Sequence, residues 1–349
     1  MTKRIVGLDF GRKSIRAAQL RLSAGNVPCI EKLYEIDVPA GISEYGEIID
    51  RTAMTALLTK LWQKAEFETH HVVIAAGSLH VFAREIDVPQ MSIQRIRESL
   101  PFVLDGVLPV PADQLFLDFY PFEEGAEENG LIFRGLAVAA EKSHVEALVS
   151  CLTAAKLRPM AVDFAPFALL RSSLENAHSE KLNIYIDVGG GATYFLIAKG
   201  QIPLFVRILP NGGNDIDRAM AASLRITEEE SESLRRLVSL TSEAKDGAEV
   251  RAATLAALQE LLSSLSSTID YYEQSHKVSL RQGCEVTLSG GVSKLAGIDK
   301  ILAAALNMPV KINGKIRNAK ACEGLKIKES DESNFLLAIG LALAEVTNA

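Results

Sequence analysis

The sequence has few of the residues that mark disulfide-rich, zinc-binding or membrane-spanning proteins. Its four cysteines are scattered and match no zinc motif: Cys29, Cys151, Cys284 and Cys322. This pattern predicts reduced, buried thiols in a cytoplasmic protein rather than a disulfide framework. The longest apolar run, 335–346, is shorter than the roughly 20 residues that cross a bilayer, and it predicts a buried helix. The N-terminus enters a predicted strand at once, without a secretory signal.

An excess of positive charge is also missing. The net charge is −7, which excludes the electrostatic attraction that nucleic acid or an anionic membrane surface requires. The hydrophobic content of 48% and charged content of 23% are typical of a soluble globular protein. The 349 residues suffice for two domains with cores of their own. We therefore expect no nucleic-acid partner and no direct membrane insertion, so membrane association must come through a partner.

A glycine-rich segment stands out at 184–197. A β-rich apolar run ends in Asp187, breaks at Gly189, Gly190 and Gly191, and resumes as a second β-rich run. This pattern predicts a hairpin whose backbone N–H groups can approach a phosphate. A carboxylate there would repel a bare phosphate, so Asp187 makes sense only with a divalent metal between them. Taken alone, the simpler interpretation is a glycine-rich turn with a surface aspartate.

The same strand, Asp-x-Gly, strand pattern occurs at 5–20, where Asp9 precedes Gly11. About half of the chain separates Asp9 from Asp187. An internal repeat of half the chain length predicts two similar halves that face each other. Two such hairpins that close on one nucleotide explain both copies better than coincidence does.

The segment between the two hairpins contains an additional predicted unit. Helical spacing at 48–65 and a strand at 71–77 continue the first half. From Arg84 the pattern predicts a strand, a helix capped by Ser92 that runs to Leu104, two strands joined by an acidic turn at 123–130, and a helix at 142–156. We interpret this stretch as a small α/β unit inserted into the first half.

Two more glycine turns follow in the second half. Gly212 and Gly213 open a predicted helix that ends at Leu224, which is a second candidate contact for phosphate or ribose. Further on, 285–293 predicts a strand followed by a Ser-Gly-Gly turn that lets an adenine lie against backbone, although a plain strand-to-helix turn is the simpler interpretation. The helix predicted at 227–239 is charged and is most simply a solvated face, and 247–276 predicts a long amphipathic helix.

These motifs together resemble those of the actin-like ATPase superfamily. GLDFGRKSIRAAQL is similar to its first phosphate motif, DVGGGATYFLIA to its second, and LSGGVSKLAGI to its adenosine motif. The segments EIDVPQMS and RESLPFVLDGVLPVPADQLFLDF are similar to the insert of the PilM family of type IV pilus assembly proteins. RILPNGGNDIDRAM and TEEESESLRR also resemble that family, and the resemblance runs nearly end to end.

The resemblance implies an α/β, actin-like (ribonuclease H-like) duplicated fold. Two lobes would surround a nucleotide cleft, and the insert would form a small α/β subdomain. The implied division assigns 1–84 with 156–181 to the first subdomain, 85–155 to the insert, 182–213 with 281–349 to the second subdomain, and 214–280 to a helical subdomain.

The resemblance also implies ATP and Mg2+ as ligands. Asp9 and Asp187 would hold Mg2+ through water. The phosphates would meet Gly11, Arg12, Lys13, Ser14, Gly189, Gly190, Gly191, Ala192 and Thr193. The ribose and base would meet Gly212, Gly213, Asn214, Glu232 and Arg235, with Gly290, Gly291 and Val292 beside the adenine.

Three departures from the family pattern affect these expectations. Arg12 and Lys13 replace small hydroxyl residues. Their positive charge favours phosphate binding, and it leaves open whether Mg2+ is required. Arg235 stands where the family has lysine, which keeps the charge but alters the geometry. Ala165 stands where the family usually has an acidic residue that helps to position the attacking water. We therefore expect at most slow ATP hydrolysis, with Asp163 either a weak catalytic substitute or a helix cap.

The leading hypothesis is a cytoplasmic ATP-binding scaffold of the type IV pilus inner-membrane complex. The resemblance implies that it binds the N-terminal cytoplasmic peptide of a PilN-like inner-membrane protein as an extended segment. It would lie at the inner face of the cytoplasmic membrane through that partner and contact other pilus assembly components, and weak self-association stays open.

Three alternatives fit the sequence less well. A cell-division relative of the FtsA type usually ends in a basic amphipathic helix, which 344–349 does not resemble. A small-molecule kinase of the same fold needs a catalytic base, and none stands out. A dinucleotide-binding enzyme fits least, because an aspartate immediately before the glycines is wrong for direct pyrophosphate contact.

Overall fold

The computed structural model describes residues 2–23, 25–44, 47–76, 80–127, 130–174, 178–242, 247–328 and 332–347. The chain divides into two compact units. The first consists of Met1–Ala177, Gln201–Val206 and Lys315–Ala349, and the second of His178–Gly200 and Arg207–Gly314.

The secondary structure has the following bounds. The strands are β1 (Thr2–Phe10), β2 (Ser14–Ser23), β3 (Cys29–Asp37), β4 (Ser43–Glu44), β5 (Glu47–Ile48), β6 (His71–Ala76), β7 (Val81–Pro89), β8 (Leu115–Glu127), β9 (Gly130–Glu141), β10 (Arg158–Phe164), β11 (Leu182–Val188), β12 (Thr193–Lys199), β13 (Ile202–Leu209), β14 (Val286–Ser289), β15 (Val310–Ile312) and β16 (Lys320–Ala321). The α-helices are α1 (Arg51–Ala65), α2 (Ile93–Val103), α3 (Lys142–Ala154), α4 (Ala165–Ser173), α5 (Gly213–Leu224), α6 (Glu228–Leu237), α7 (Ala248–His276), α8 (Ile298–Leu306) and α9 (Leu336–Thr347).

The predicted internal repeat is confirmed by the sheets of the two units. In the first unit the order β2-β1-β6-β10 places an antiparallel hairpin beside two parallel strands. In the second unit the order β12-β11-β14-β15 repeats this arrangement. Asp9 and Asp187 occupy matching places near the ends of β1 and β11. The α/β duplicated fold predicted from the two Asp-x-Gly hairpins is therefore confirmed.

The last helix corrects one part of the predicted division. We expected 281–349 to lie in the second subdomain, but α9 packs against β1, β2 and α4 of the first unit. A methyl group added at Gly7 would lie 1.9 Å from the Ala338 carbonyl oxygen, and one at Gly340 would lie 1.8 Å from that of Ala168. These glycines allow the close approach of helix and sheet. Apolar content alone predicted that the helix is buried, and not which sheet covers it.

The cysteines give a second correction. Cys29 and Cys322 form a disulfide, although they are 293 positions apart in sequence, and their Cα atoms are 5.3 Å apart. They meet because β16 pairs in parallel with β3, which places Lys320 opposite Cys29. Cys151 and Cys284 are free and buried, as predicted. Spacing along the chain could not reveal the pair, since it depends on this strand pairing.

The inserted unit contains the antiparallel sheet β7-β9-β8, which packs on α2. The Ser92 hydroxyl accepts a hydrogen bond from the Arg95 amide at 3.5 Å, so the predicted cap and helix are confirmed. The acidic turn predicted at 123–130 is corrected, because β8 runs as far as Glu127 and β9 starts at Gly130. The acidic residues 123–127 belong to a strand, and 128–129 lie outside the described residues.

Candidate functional site

The first hairpin has a tightly held turn. The Gly11 amide donates to the Ser14 carbonyl at 2.9 Å, and the Val38 amide donates to the Lys13 carbonyl at 2.9 Å. A methyl group at Gly11 would lie 2.8 Å from the Ser14 carbonyl oxygen, so this close turn requires glycine. Ser14 is buried, Arg12 is half-buried and Lys13 is exposed. The turn therefore presents two cationic side chains on a backbone that is fixed from both sides.

Asp9 lies opposite Arg16 in this hairpin. The Arg16 Nη1 atom is 3.9 Å from an Asp9 carboxylate oxygen, and Arg16 also pairs with Glu35 at 3.0 Å. The Asp9 side chain is only 16% exposed. Its carboxylate thus faces a cationic neighbour at the carboxyl end of β1.

Asp163 lies at the same edge of the same sheet. Leu8 of β1 and Val162 of β10 both align with Ile74 of β6, so Asp9 and Asp163 are the next residues along two parallel strands. With one strand between them, their Cα atoms are about 10 Å apart. The structure therefore brings the weak catalytic candidate to the same sheet edge as the first predicted magnesium ligand.

The Asp163 carboxylate is engaged within the protein. It forms an ion pair with Arg171 of α4 and accepts the Phe164 amide at 2.8 Å. Burial raises the pKa of Asp163, and the charge of Arg171 opposes that rise. Helix α4 starts at Ala165, which is fully buried, and its N-cap residue is Phe164, so Asp163 does not cap it. The helix-cap interpretation is therefore corrected.

The second hairpin turn is tied to strand β14. The Gly189 amide donates to the Ala192 carbonyl at 3.0 Å, and the Ser289 hydroxyl donates to the Asp187 carboxylate at 2.7 Å. Gly190 and Gly191 are exposed at the tip of the hairpin. Within the described residues, none accepts a hydrogen bond from the amides of these two glycines. They are the backbone donors that this turn presents for an anion.

Helix α5 starts against the same turn. The Gly213 amide donates to the Gly189 carbonyl and the Asn214 amide to the Gly190 carbonyl, each at 2.9 Å. A methyl group at Gly212 would lie 2.5 Å from the Gly190 carbonyl oxygen, so this approach requires glycine. The first amides of α5 are therefore used by the hairpin, which leaves them unable to donate to a phosphate.

Thr193 also connects these segments. Its hydroxyl donates to the Asn211 carbonyl at 2.6 Å, and the residue is fully buried. The structure thus uses Thr193 to hold the loop before α5. Ala192, which precedes it, is also buried.

The Ser-Gly-Gly turn lies beside the end of β11. Gly290 has φ of +86°, and a methyl group there would lie 2.4 Å from the Val188 carbonyl oxygen. Both facts require glycine. The Ser293 hydroxyl closes the turn by donating to the Gly290 carbonyl at 2.7 Å. A short 3₁₀ helix, Gly291–Lys294, follows directly, and α8 begins at Ile298.

Three of the predicted motifs converge around Gly213. A methyl group added there would lie 3.3 Å from Val292 Cγ2, 3.5 Å from Arg235 Nη2 and 3.6 Å from the Gly189 carbonyl oxygen. These atoms come from the Ser-Gly-Gly turn, helix α6 and the second glycine hairpin. Segments that are far apart in sequence thus meet at one place within the second unit.

Two of the ion pairs of helix α6 involve predicted site residues, and one of them includes a residue that was not predicted. Glu232 pairs with the exposed Arg236 at 2.6 Å. Arg235 is buried and pairs with Asp217 of α5, with which it shares two hydrogen bonds. Asp217 was not a predicted site residue. The available signal was an acidic residue within the apolar stripe of α5, next to Ile216 and one turn before Met220 and Ala221.

The described residues contain no group of three or more histidine, cysteine, aspartate or glutamate side chains that could hold a metal ion. Asp9 and Asp187 are oxygen donors, which suit Mg2+, an ion that usually keeps several waters and binds substrate phosphates. A magnesium ion would fit these residues as part of a metal–phosphate complex rather than in an all-protein cage. No helix in the described part of the chain is long and apolar enough to cross a membrane.

The duplicated sheet with its paired Asp-x-Gly hairpins defines an actin-like fold. The structure of MreB5 of Spiroplasma citri bound to ADP matches with a TM-score of 0.58 and 13% identity, over 99% of this chain and 97% of that one. The PilM-PilN type IV pilus biogenesis complex matches with a TM-score of 0.85 and 24% identity, over 98% of both chains. The profile of the family described as type IV pilus assembly protein PilM matches residues 7–346, and the chain belongs to that family.

One curated protein of another kind is also similar. The cell division protein FtsA of Bacillus subtilis (strain 168) is 21% identical over an alignment of 227 residues, and the match covers 57% of this chain. The match covers only half the length of that relative.

Proposed function

We propose that the protein is an ATP-binding scaffold of the type IV pilus assembly complex. The convergence of Gly189, Arg235 and Val292 around Gly213 supports this most directly. It assembles a phosphate turn, a base-side turn and a helix face in one place, as a nucleotide site requires. MreB5, a protein with the same fold, was solved with ADP bound.

In this proposal, the exposed amides of Gly190 and Gly191 face the phosphates, and Asp187, held by Ser289, faces the metal side. Gly290, Gly291 and Val292 lie beside the base. The first hairpin contributes Asp9, with Arg12 and Lys13 on its turn. A bound Mg2+ would neutralise phosphate charge beside these aspartates.

We further propose that hydrolysis is slow or absent. Ala165 has no group that could orient water, and it is fully buried. The nearby carboxylate of Asp163 is held by Arg171. Nucleotide would then act as a stably bound ligand rather than as an energy source.

The proposed partner is the N-terminal cytoplasmic tail of a PilN-like inner-membrane protein. Membership of the PilM family and the likeness to a structure titled as a PilM-PilN complex support it. Such a tail would bind as an extended segment with apolar side chains in pockets. It would place the protein at the inner face of the cytoplasmic membrane, next to other assembly components. The FtsA-type alternative rests on a partial match, whereas the pilus family matches nearly the whole chain.

The test is a calorimetric titration of a synthetic PilN-type tail into the purified protein, with and without ATP and Mg2+. A scrambled tail of the same composition is the control. We expect saturable binding of the native tail, with an affinity that depends on nucleotide. Absence of binding in both states would reject the proposed partner.

A further inference from the structure

A buried ion pair joins α5 to α6 at the edge of the nucleotide site. Arg235 Nε and Nη2 donate to the two carboxylate oxygens of Asp217, at 2.5 and 2.9 Å. Asp217 is 2% exposed and Arg235 is 7% exposed. Burying two charges costs free energy that only good geometry offsets, and such pairs are weak contributors to stability. Stability alone therefore does not explain why this buried pair is present.

The position of Arg235 supplies that reason. Its Nη2 atom lies 3.5 Å from the point that a methyl group on Gly213 would occupy, and Val292 Cγ2 lies 3.3 Å from the same point. A guanidinium has five N–H donors, and the fork to Asp217 uses only two of its nitrogens. In the part of the chain that the structure describes, no residue accepts a hydrogen bond from the third, Nη1. Among the described residues, Nη1 of Arg235 is not one of the buried atoms that lack a hydrogen-bond partner. Solvent or a ligand can therefore reach it.

The carboxylate changes what this guanidinium can recognise. An arginine alone would attract phosphate by its charge. Paired with Asp217, it has its charge neutralised, while its outer N–H groups keep a fixed direction. A directed donor without net charge suits a neutral acceptor, such as a ring nitrogen of a base or a ribose hydroxyl.

We infer that Asp217 is a positioning residue that holds Arg235 as a donor to the nucleoside end of a bound nucleotide. This inference rests on the proposed ATP site. It predicts that Asp217 affects recognition of the nucleoside and not of the phosphate chain. If the pair instead only holds α5 and α6 together, its loss would destabilise the fold and would lower the affinities of all ligands alike.

The experiment measures the affinities of ATP, ADP and inorganic tripolyphosphate by calorimetry, for the wild-type protein and for Asp217→Asn. We expect ATP and ADP to weaken together by about tenfold, as for the loss of one charge-assisted hydrogen bond. Tripolyphosphate binding should stay the same or tighten, because the freed guanidinium regains its positive charge.

A second variant keeps the inference testable if Asp217→Asn does not fold. Asp217→Asn with Arg235→Gln replaces the ion pair by a neutral pair of similar shape, and it should still bind tripolyphosphate while binding ATP weakly.

Lys199→Gln is the matched control. Lys199 is a half-buried basic residue of the second unit, lies at the end of β12 away from the glycine turn, and pairs with Glu180. It should leave all three affinities unchanged.

Equal changes for ATP and tripolyphosphate in the neutral-pair variant would overturn the inference, and so would unchanged ATP affinity in both variants. A wild-type protein that binds neither ligand would overturn the proposed ATP site as well. The two failures are therefore distinguishable.

Discussion

The Ser289 hydroxyl donates to the Asp187 carboxylate at 2.7 Å, and this bond joins two motifs 102 residues apart. Asp187 and Ser289 are register partners at the ends of the parallel strands β11 and β14. The bond fixes the Asp187 carboxylate next to the Ser-Gly-Gly turn. In the proposed nucleotide site, this bond would make metal binding sensitive to a residue that need not touch a ligand.

Ser289→Ala tests that connection. Loss of the bond should lower the free energy of unfolding by about 1 kcal/mol. It should also weaken ATP binding several-fold in the presence of Mg2+, because the carboxylate loses its fixed orientation. Calorimetry with Mg2+ and with EDTA checks this. An equal loss under both conditions would contradict a role on the metal side.

Gly290→Ala tests the turn beside β11. The backbone conformation with φ of +86° is strained for alanine, and the new methyl group would meet the Val188 carbonyl oxygen at 2.4 Å. We expect a loss of about 2–4 kcal/mol in unfolding free energy, measured by urea denaturation. Gly283→Ala is the matched control, because its methyl group would meet nothing within 4 Å. Similar losses in the two variants would show that the contact with Val188 is not responsible.

Asp163→Asn tests the buried pair at the edge of the first sheet. Because burial raises the pKa of Asp163, its contribution to stability is greatest below the ordinary aspartate range and is lost as pH rises through the raised pKa. The stability of the wild-type protein relative to Asp163→Asn should therefore rise as pH falls from 7 towards 4. Urea denaturation across that range measures it. A relative stability that falls on acidification would contradict the sign.

The Cys29–Cys322 disulfide is tested by counting thiols. Protein denatured without reductant should be alkylated only at Cys151 and Cys284, and at all four cysteines after reduction. In the folded protein those two should react slowly, because burial raises their pKa values. Cys322→Ser should lower the unfolding free energy by about 2–5 kcal/mol. Mass spectrometry that finds four alkylated cysteines without reductant would contradict the disulfide.

Local patterns in the sequence predicted the parts of the site that depend on local geometry. Gly11 and Gly290 are needed because backbone atoms lie against them. The Asp-x-Gly and Ser-Gly-Gly patterns therefore indicate these two close turns directly. The duplicated sheet was predictable because each half repeats the same hairpin. The helix cap at Ser92 was equally local.

What the sequence could not predict depends on pairings between distant segments. The partner of Asp217 is on another helix, and Cys322 reaches Cys29 only through the pairing of β16 with β3. The apolar run at 335–346 predicted a buried C-terminal helix but carries no information on which sheet buries it. The same holds for Thr193, where the expected phosphate ligand instead has its hydroxyl bonded to the Asn211 carbonyl.

The central proposal is that Asp9 and Asp187 both take part in ATP binding. Calorimetric titration of ATP with Mg2+ into the wild-type protein, Asp9→Asn, Asp187→Asn and the double variant tests it most directly. We expect one site in the wild-type protein, a loss of tenfold or more in each folded single variant, and a double-variant loss smaller than the product of the two. Unchanged ATP affinity in either single variant, or no ATP binding by the wild-type protein, would contradict the account.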